Sequence, residues 1–342
     1  MRAFITGVSG PALTDAEREF LREAQPWGLI IFKRNVANPD ALHALVDDVR
    51  SILGRQAPIL VDQEGGRVQR LGPPYWPKYP PAAAYGRLYD ENRTEGLAAA
   101  RLGARLMAAD LAAVGIDVDS MPLADVPAAG ADAVIGDRAF GDRPDKVSAL
   151  AAAFAEGLLD GGVLPVVKHL PGHGRATADS HEKLPVVTAA KAALETTDFA
   201  AFRPLAGLPL AMTAHVVFTA LDQMAPATTS AVIVHEVIRG SIGYQGLLMS
   251  DDLSMGALSG SLGERTIAAL AAGCDIALHC NGSMDEMRAV AEAAPMLAGE
   301  AARRAEAALA WRKRAVAIDL AASRAEFARR LGAVWDPARG LV

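Results

Sequence analysis

Residues 163–181 read VLPVVKHLPGHGRATADSH, an apolar run followed by a long polar loop. The β-branched run Val163–Val167 predicts a strand, and Pro171 with the glycines after it indicates that neither this strand nor a helix continues. The loop ends in DSH at positions 179–181. A carboxylate beside an imidazole raises the basicity of the histidine and orients it for proton transfer. The loop is therefore predicted to carry mobile catalytic groups.

Strand-like runs of this kind recur along the chain and alternate with longer segments rich in Ala, Leu, Glu and Arg. This alternation is typical of parallel strands joined by helices, and eight such units predict an α/β fold of the (β/α)8 type, a TIM barrel. The eight predicted strands are Arg2–Val8, Gly28–Phe32, Ile59–Asp62, Ile116–Pro122, Val163–Lys168, Leu208–His215, Gly246–Ser250 and Asp275–His279. Apolar spacing predicts helices between the strands, for example Asp15–Gln25, Pro39–Leu53, Arg93–Val114, Lys146–Leu159, Ser230–Ile242 and Arg265–Ala272.

The chain is predicted to form one domain over residues 1–342, because this length suits a barrel and no linker or repeat divides it. The barrel is expected to occupy residues 1–285 approximately. Two Ala/Arg-rich stretches, Glu286–Leu297 and Glu300–Leu331, predict additional helices in the C-terminal part, residues 286–342.

Polar residues lie at the C-terminal ends of the predicted strands, where barrel enzymes have their catalytic residues. Asp62 ends ILVD, Lys168 and His169 end VLPVVKH, His215 ends LAMTAH, Asp251 follows LLMS, and Asn281 follows DIALHC. A single strand that ends in Asp is explained by local capping. Five polar endings favour a shared site at the mouth of the barrel.

Composition favours a small or neutral substrate. The formal net charge is -6, and no Lys/Arg cluster is long enough to follow a phosphate backbone, so no nucleic-acid partner is expected. Cys274 and Cys280 flank an apolar run and are predicted to be buried free thiols, which suggests a reducing compartment. Because the N-terminus lacks a signal-peptide pattern and no apolar run reaches about 18 residues, the sequence predicts a cytoplasmic protein without a membrane partner.

Six motifs together resemble the family 3 glycoside hydrolases. They are VDQEGGRVQRL (61–71), GDRAFG (136–141), VKHLPGHGRATADSH (167–181), MTAHVVF (212–218), SDDLSM (250–255) and AGCDIALHCN (272–281). The resemblance runs from about Gly28 to Asn281 and is strongest to the single-domain β-N-acetylhexosaminidase branch, the NagZ type. The fold that it implies is a TIM barrel, in agreement with the strand count.

The resemblance implies a role for each of eight residues. Asp251 is the expected nucleophile, and it would form a covalent glycosyl-enzyme intermediate. His181, polarised by Asp179, is the expected general acid and base, where most glycosidases use a second carboxyl group. The residues expected to hold the hydroxyls and the N-acetyl group of the sugar are Asp62, Arg70, Arg138, Lys168 and His169.

The implied activity is that of a retaining exo-β-N-acetylglucosaminidase, without a metal or other cofactor. Its implied natural substrates are cytosolic muropeptides that carry 1,6-anhydro-N-acetylmuramic acid, as in peptidoglycan recycling. Family 3 also contains glucosidases and xylosidases, so the reaction type is better defined than the sugar.

Four alternatives stay open at the level of sequence. His169, His173, Asp179 and His181 are residue types that also bind zinc or iron, which would make the protein a metallohydrolase. A barrel could use Asp62, Lys168 and His169 to bind a saccharide without cleaving it. Some N-acetylhexosaminidases use the substrate's own acetamide as nucleophile in place of a carboxylate. Arg70 and Arg138 would, in the structural alternative, only form ion pairs.

Overall fold

The computed structural model describes residues 1–341 and contains a closed barrel of eight parallel strands. Each strand pairs with the next one along the chain and the eighth pairs with the first, so the predicted TIM barrel is confirmed. The barrel strands are β1 Arg2–Thr6, β2 Pro26–Ile31, β3 Ile59–Val61, β4 Val118–Asp119, β5 Leu164–Leu170, β6 Leu210–Thr213, β7 Leu247–Asp252 and β8 Ile276–His279. Each of the eight overlaps its predicted segment.

Helices surround this barrel. They are α1 Asp15–Ala24, α2 Pro39–Leu53, α3 Ala82–Glu91, α4 Arg93–Ala112, α5 Pro144–Asp160, α6 Lys191–Thr196, α7 Asp198–Phe202, a π-helix Ile233–Ser241, α8 Leu262–Ala272, α9 Met284–Ala293, α10 Gly299–Leu309 and α11 Leu320–Leu331. Short paired strands outside the barrel are Gln63–Gly65 with Val68–Gln69, Val186–Val187 with Val217–Phe218, and Trp335–Asp336 with Gly340–Leu341. Within residues 1–341, no helix has the length and apolar character needed to cross a bilayer.

Side chains along each barrel strand alternate between two hydrophobic cores. Met249 of β7 belongs to the core inside the barrel, whereas Leu248 packs in the larger core between barrel and helices. Successive side chains of a strand point to opposite faces, and Asp251 lines the cavity as this alternation predicts, although the pairing of β7 with β8 is irregular between Met249 and Asp252. The same continuation leads from Leu60 to Asp62 at the end of β3. The alternation of side chains along the strands therefore places the carboxylates of Asp62 and Asp251 in the mouth of the barrel.

The C-terminal part differs from the prediction in one respect. The stretch Glu300–Leu331 is predicted to be helical throughout, but α10 ends at Leu309 and α11 begins at Leu320. The interval is held by tertiary contacts, since the Val316 N–H donates to the Asp160 carbonyl at 2.9 Å. The Asp319 side chain then caps α11 by accepting from the Ala322 N–H at 3.0 Å.

Three helices are not among those that the sequence-based prediction names. Helices α6 and α7 contain 6 and 5 residues, which is too short for apolar periodicity to reveal. Helix α3 starts directly after Pro80 and Pro81, and prolines of that kind are typical of loops as well as of helix starts. These differences leave the barrel mouth unchanged.

Candidate active site

A cavity of about 380 Å³ opens at the mouth of the barrel, at the C-terminal ends of the strands. It is lined by all eight residues that the sequence analysis predicts to bind or cleave the substrate: Asp62, Arg70, Arg138, Lys168, His169, Asp179, His181 and Asp251. They come from β5, from β7 and from the loops after β3, β4 and β5, and they are as many as 189 positions apart, between Asp62 and Asp251. The fold therefore collects the predicted residues in one place.

Lys168 is the centre of a buried ionic network on the floor of the cavity. Its Nζ lies 2.7 Å from Glu64 Oε1 and 3.5 Å from Asp62 Oδ1. Arg70 donates to Asp62 Oδ2 at 2.8 Å, and Arg138 makes a two-point contact with Glu64, at 2.7 and 2.9 Å. The two arginines thus form ion pairs and line the cavity at the same time, so the structural and the sugar-binding interpretations are compatible.

The charges in this network are mutually stabilised. Burial opposes ionisation of Asp62 and Glu64, but the positive charges of Lys168, Arg70 and Arg138 outweigh it, holding the pKa of Asp62 well below its usual range and lowering the pKa of Glu64 to about 2. Burial likewise opposes the positive charge of Lys168, and the two carboxylates overcome it and raise the pKa of Lys168. The floor consequently offers both hydrogen-bond donors and anionic acceptors at neutral pH.

His169 is held in place by a residue from another strand's loop. Its Nδ1 lies 2.7 Å from Asp125 Oδ2, and Asp125 Oδ1 accepts from the backbone N–H of His173 at 2.6 Å. Burial opposes ionisation of Asp125, but His169 and His173 outweigh it and lower the pKa of Asp125 to about 2. Asp125 therefore fixes the start of the polar loop and leaves Nε2 of His169 for a ligand.

Asp252 has a structural role. Its Oδ1 accepts from the backbone N–H groups of Ser254 at 3.0 Å and Cys280 at 3.2 Å, and its Oδ2 accepts from the Ser254 hydroxyl at 2.7 Å. These bonds tie the end of β7 to its own turn and to β8.

Asp251 lines the same cavity as Asp252, but its hydrogen bonds differ. Its carboxylate lines the cavity and accepts from the Asp252 N–H at 2.8 Å. Burial opposes its ionisation, but His169, His215 and Lys168 are close enough to outweigh this and lower the pKa of Asp251. The group is an anion at neutral pH, the state that a nucleophile needs.

Asp179 and His181 form the pair that the DSH sequence predicts. Asp179 Oδ1 lies 2.7 Å from His181 Nδ1 and accepts from the His181 backbone N–H at 2.9 Å. Partial burial opposes ionisation of Asp179, but the hydrogen bonds from His181 outweigh it and lower the pKa of Asp179. Because an ionised carboxylate only accepts, Nδ1 carries the proton of this bond and Nε2 is free to exchange one. The His181 side chain is 66% exposed, so a substrate can reach it.

Other residues singled out in the sequence have mainly structural contacts. His215 is fully buried, with Nε2 donating to the Asp252 carbonyl at 3.0 Å. Asn281 donates to Glu286 at 3.0 Å, and Arg175 donates to the buried Asp198 at 2.6 Å. Cys274 and Cys280 are buried free thiols, as predicted.

Sequence reasoning missed Glu64 and Asp125. Glu64 is two residues after Asp62, a spacing that keeps both on one side of an extended segment and would have indicated it. The signal for Asp125 was weaker. Among the third to eighth predicted strands, the fourth was the one with no polar residue assigned to its end. Asp125 lies beyond that predicted strand, in the loop after it.

We predict that Glu64→Gln lowers the free energy of unfolding by about 3 kcal/mol at pH 7, because Lys168 and Arg138 lose a buried partner. The folded-state pKa of Glu64, about 2, is below its ordinary 4.5. The stabilisation is therefore complete above about pH 5 and is lost as the pH falls toward 2. Urea unfolding at pH 7 and pH 3 measures it, and the deficit of the variant is expected to fall by about half at pH 3.

The exposed Glu236 provides a matched control, since Glu236→Gln is expected to change the free energy of unfolding by less than about 0.5 kcal/mol. A deficit for Glu64→Gln that is the same at both pH values would contradict the ionic explanation.

The residues of the alternative metal site contact protein groups. His169 pairs with Asp125, His181 pairs with Asp179, and His173 Nε2 lies 3.1 Å from Ser180 Oγ. In the part of the chain from 1 to 341, no group of three or more His, Cys, Asp or Glu side chains has an arrangement that could hold a metal ion.

Comparison with known proteins identifies the family. The model of the glycosyl hydrolase family 3 N-terminal domain matches residues 5–309. The chain is 42% identical over 281 residues to a Beta-hexosaminidase of Alkalilimnicola ehrlichii, covering 80% of this chain and 79% of that protein. It is 37% identical over 339 residues to a Beta-hexosaminidase of Aromatoleum aromaticum, covering 98% and 92%.

A solved structure extends the likeness to the fold. NagZ from Neisseria gonorrhoeae, in complex with N-trifluoroacetyl-D-glucosamine, superposes with a TM-score of 0.86 at 30% identity, over 96% of this chain and 98% of that one. Because the family match covers most of the chain and agrees with the barrel, the protein belongs to glycosyl hydrolase family 3, in its NagZ-type β-N-acetylhexosaminidase branch.

Proposed function

We propose that the protein is a retaining exo-β-N-acetylglucosaminidase that removes terminal non-reducing N-acetylglucosamine from β-linked glycans. One observation carries the proposal: the half-buried anion of Asp251 and the Asp179/His181 pair line the same cavity although they come from different elements. A nucleophile and a proton donor that share a cavity are what double displacement at an acetal requires.

In the first step, a carboxylate oxygen of Asp251 attacks the anomeric carbon of the sugar. The bond from this carbon to the glycosidic oxygen breaks, and that oxygen takes a proton from Nε2 of His181. The product is an ester between Asp251 and the sugar with α configuration, together with the free alcohol. Asp179 stabilises the positive imidazole before the transfer and holds its Nδ1.

In the second step, water attacks the anomeric carbon of the ester. Nε2 of His181 takes a proton from this water, and the bond between the sugar and Asp251 breaks. Two inversions give a product with the original β configuration. The imidazole returns to its protonated state and the carboxylate to its anionic state, so the cycle closes without a cofactor.

The polar floor suits a sugar without net charge. Equal numbers of acidic and basic side chains line the cavity: Asp62, Glu64, Asp179, Asp251 and Asp252 against Arg34, Arg67, Arg70, Arg138 and Lys168. Carboxylates accept from hydroxyl groups, whereas arginine, lysine and histidine donate to hydroxyl and acetamide oxygens. We assign Asp62, Arg70, Arg138, Lys168 and His169 to the binding of the terminal residue.

For the natural substrate, we infer muropeptides in which N-acetylglucosamine is linked to 1,6-anhydro-N-acetylmuramic acid. The corresponding process is peptidoglycan recycling in the cytoplasm. This part of the proposal rests on the likeness to NagZ-type enzymes. The five sugar-binding residues are assigned to the terminal sugar and not to the second sugar or its peptide.

Turnover of 4-nitrophenyl N-acetyl-β-glucosaminide tests the activity. We expect release of nitrophenol, with kcat/KM at least about 100-fold higher than for the 4-nitrophenyl β-glucoside or β-xyloside, since the lost acetamide contacts are worth about 3 kcal/mol. Folded protein that binds N-acetylglucosamine but releases no nitrophenol would favour the sugar-binding alternative. A preference for glucoside or xyloside would assign a different sugar to the same chemistry.

A further inference from the structure

The loop that carries His181 is docked on the turn that follows β7, the strand of Asp251. The backbone N–H of Gly256 donates to the His181 carbonyl at 3.1 Å, and that of Ala257 donates to the Ser180 carbonyl at 3.1 Å. The element with the expected nucleophile and the loop with the expected proton donor are thus joined directly. We call these two bonds the backbone clasp.

Ser180 is the buried member of the DSH triplet. It is 3% exposed, whereas the side chains of its neighbours Asp179 and His181 are 34% and 66% exposed. Its hydroxyl lies 3.1 Å from Nε2 of the buried His173, whose backbone N–H donates to Asp125. The hydroxyl therefore connects the outer end of the loop to its base.

The protonation of His173 suits this contact. Burial and the neighbouring His169 lower the pKa of His173 to about 4, so the ring is neutral at pH 7. A neutral imidazole and a hydroxyl are a compatible donor and acceptor pair without the cost of a buried charge.

The backbone clasp requires a residue without a side chain at position 256. A Cβ atom there would lie 2.8 Å from the carbonyl oxygens of both His181 and Glu182. The turn itself is held separately, because Arg265 donates to the Leu253 carbonyl at 2.8 Å and to the Met255 carbonyl at 3.1 Å. Gly256→Ala is consequently expected to push the loop away while the turn stays in place.

We propose that Ser180 and Gly256 are positioning residues that hold the loop closed, with the His181 imidazole at the cavity that contains Asp251. Ser180 acts through its hydroxyl on His173, and Gly256 acts by allowing the close approach of the His181 and Glu182 carbonyls. The inference rests on the proposed function, because it assigns these residues to the proton transfer by His181.

The expected signature is a dependence on the leaving group. A loop that is less often closed protonates the glycosidic oxygen less effectively, which matters for poor leaving groups and little for good ones. For Ser180→Ala and Gly256→Ala, we expect kcat/KM to fall by about 10-fold or more on alkyl or disaccharide substrates and by less than about 3-fold on 2,4-dinitrophenyl N-acetyl-β-glucosaminide.

Matched controls exist for both substitutions. Ser148 is a buried serine in α5 whose hydroxyl donates to the Asp145 carbonyl, and Gly207 has open space around the position of a Cβ atom. Ser148→Ala and Gly207→Ala are expected to keep the leaving-group dependence of the unmodified protein. Thermal unfolding of all four variants identifies any effect that comes from the fold alone.

Hydrogen exchange of the Gly256 and Ala257 amides gives a readout besides activity. These N–H groups are the donors of the backbone clasp, so Ser180→Ala should increase their exchange rates while the amides of β7 stay protected. If both variants keep the turnover of the wild-type protein and its leaving-group dependence, the positioning role alone is overturned. A wild-type protein that releases no phenol would overturn it together with the proposed function.

Discussion

Asp251→Ala is expected to lower kcat on 4-nitrophenyl N-acetyl-β-glucosaminide by about four orders of magnitude or more, because no other group can form the covalent intermediate in its position. The fold should persist, since the backbone of β7 keeps its pairing with β6 and β8. Steady-state kinetics with circular dichroism and thermal unfolding measure both outcomes.

The adjacent Asp252 is the most direct control. Asp252→Asn keeps an oxygen that can accept from Ser254 or Cys280, so we expect a loss of stability of about 1–3 kcal/mol and retention of at least about a tenth of the activity. A loss of turnover equal to that of Asp251→Ala would contradict the assignment of the nucleophile to Asp251.

Trapping separates the enzyme nucleophile from the acetamide alternative. A 5-fluoro glycosyl fluoride that keeps its 2-acetamido group should form its ester with Asp251 and decay slowly, since the fluorine disfavours the oxocarbenium-like transition state. Mass spectrometry should then find the adduct on the peptide that contains residue 251. Attack by the substrate's acetamide would give an oxazoline and leave no adduct.

His181→Ala is expected to impair catalysis most on substrates whose leaving group must be protonated. We expect kcat/KM to fall by about 100- to 1000-fold on a disaccharide and by less than about 10-fold on 2,4-dinitrophenyl N-acetyl-β-glucosaminide, whose leaving group departs without protonation. Because kcat/KM reports the first step, the comparison isolates the acid role from the later activation of water.

His235 offers a control for the removal of an imidazole. It is an exposed histidine of the π-helix, so His235→Ala should change neither rate nor leaving-group dependence. Equal losses on both substrates for His181→Ala would contradict the acid role and indicate that this histidine contributes by binding alone.

Much of the site could be predicted because its signals are local. Asp251 and Asp62 continue the inward face of an apolar strand, a relation that the two-residue period of a strand determines. The contact between Asp179 and His181 spans two positions in the chain, and the structure forms it with a 2.7 Å bond. The resemblance to the family motifs suggested the roles that we propose for these residues.

The supporting residues could not be predicted in the same way. Asp125 meets His169 across 44 positions, and Glu64 meets Arg138 across 74, because neighbouring strands bring their loops together. The interruption between α10 and α11 likewise depends on a contact with a distant helix end, Asp160. Propensity describes each segment alone and contains no information on these partners.

The amino-acid sequence by itself determined the barrel and the residues at its mouth, because alternation and strand ends are properties of short segments. The tertiary structure alone decided how those residues are held: which carboxylates neutralise Lys168, which loop fixes His169, and that Gly256 meets the loop of His181 from 75 positions away. The physical reason is that electrostatic stabilisation and close approach depend on distance in space, which the order of residues does not specify.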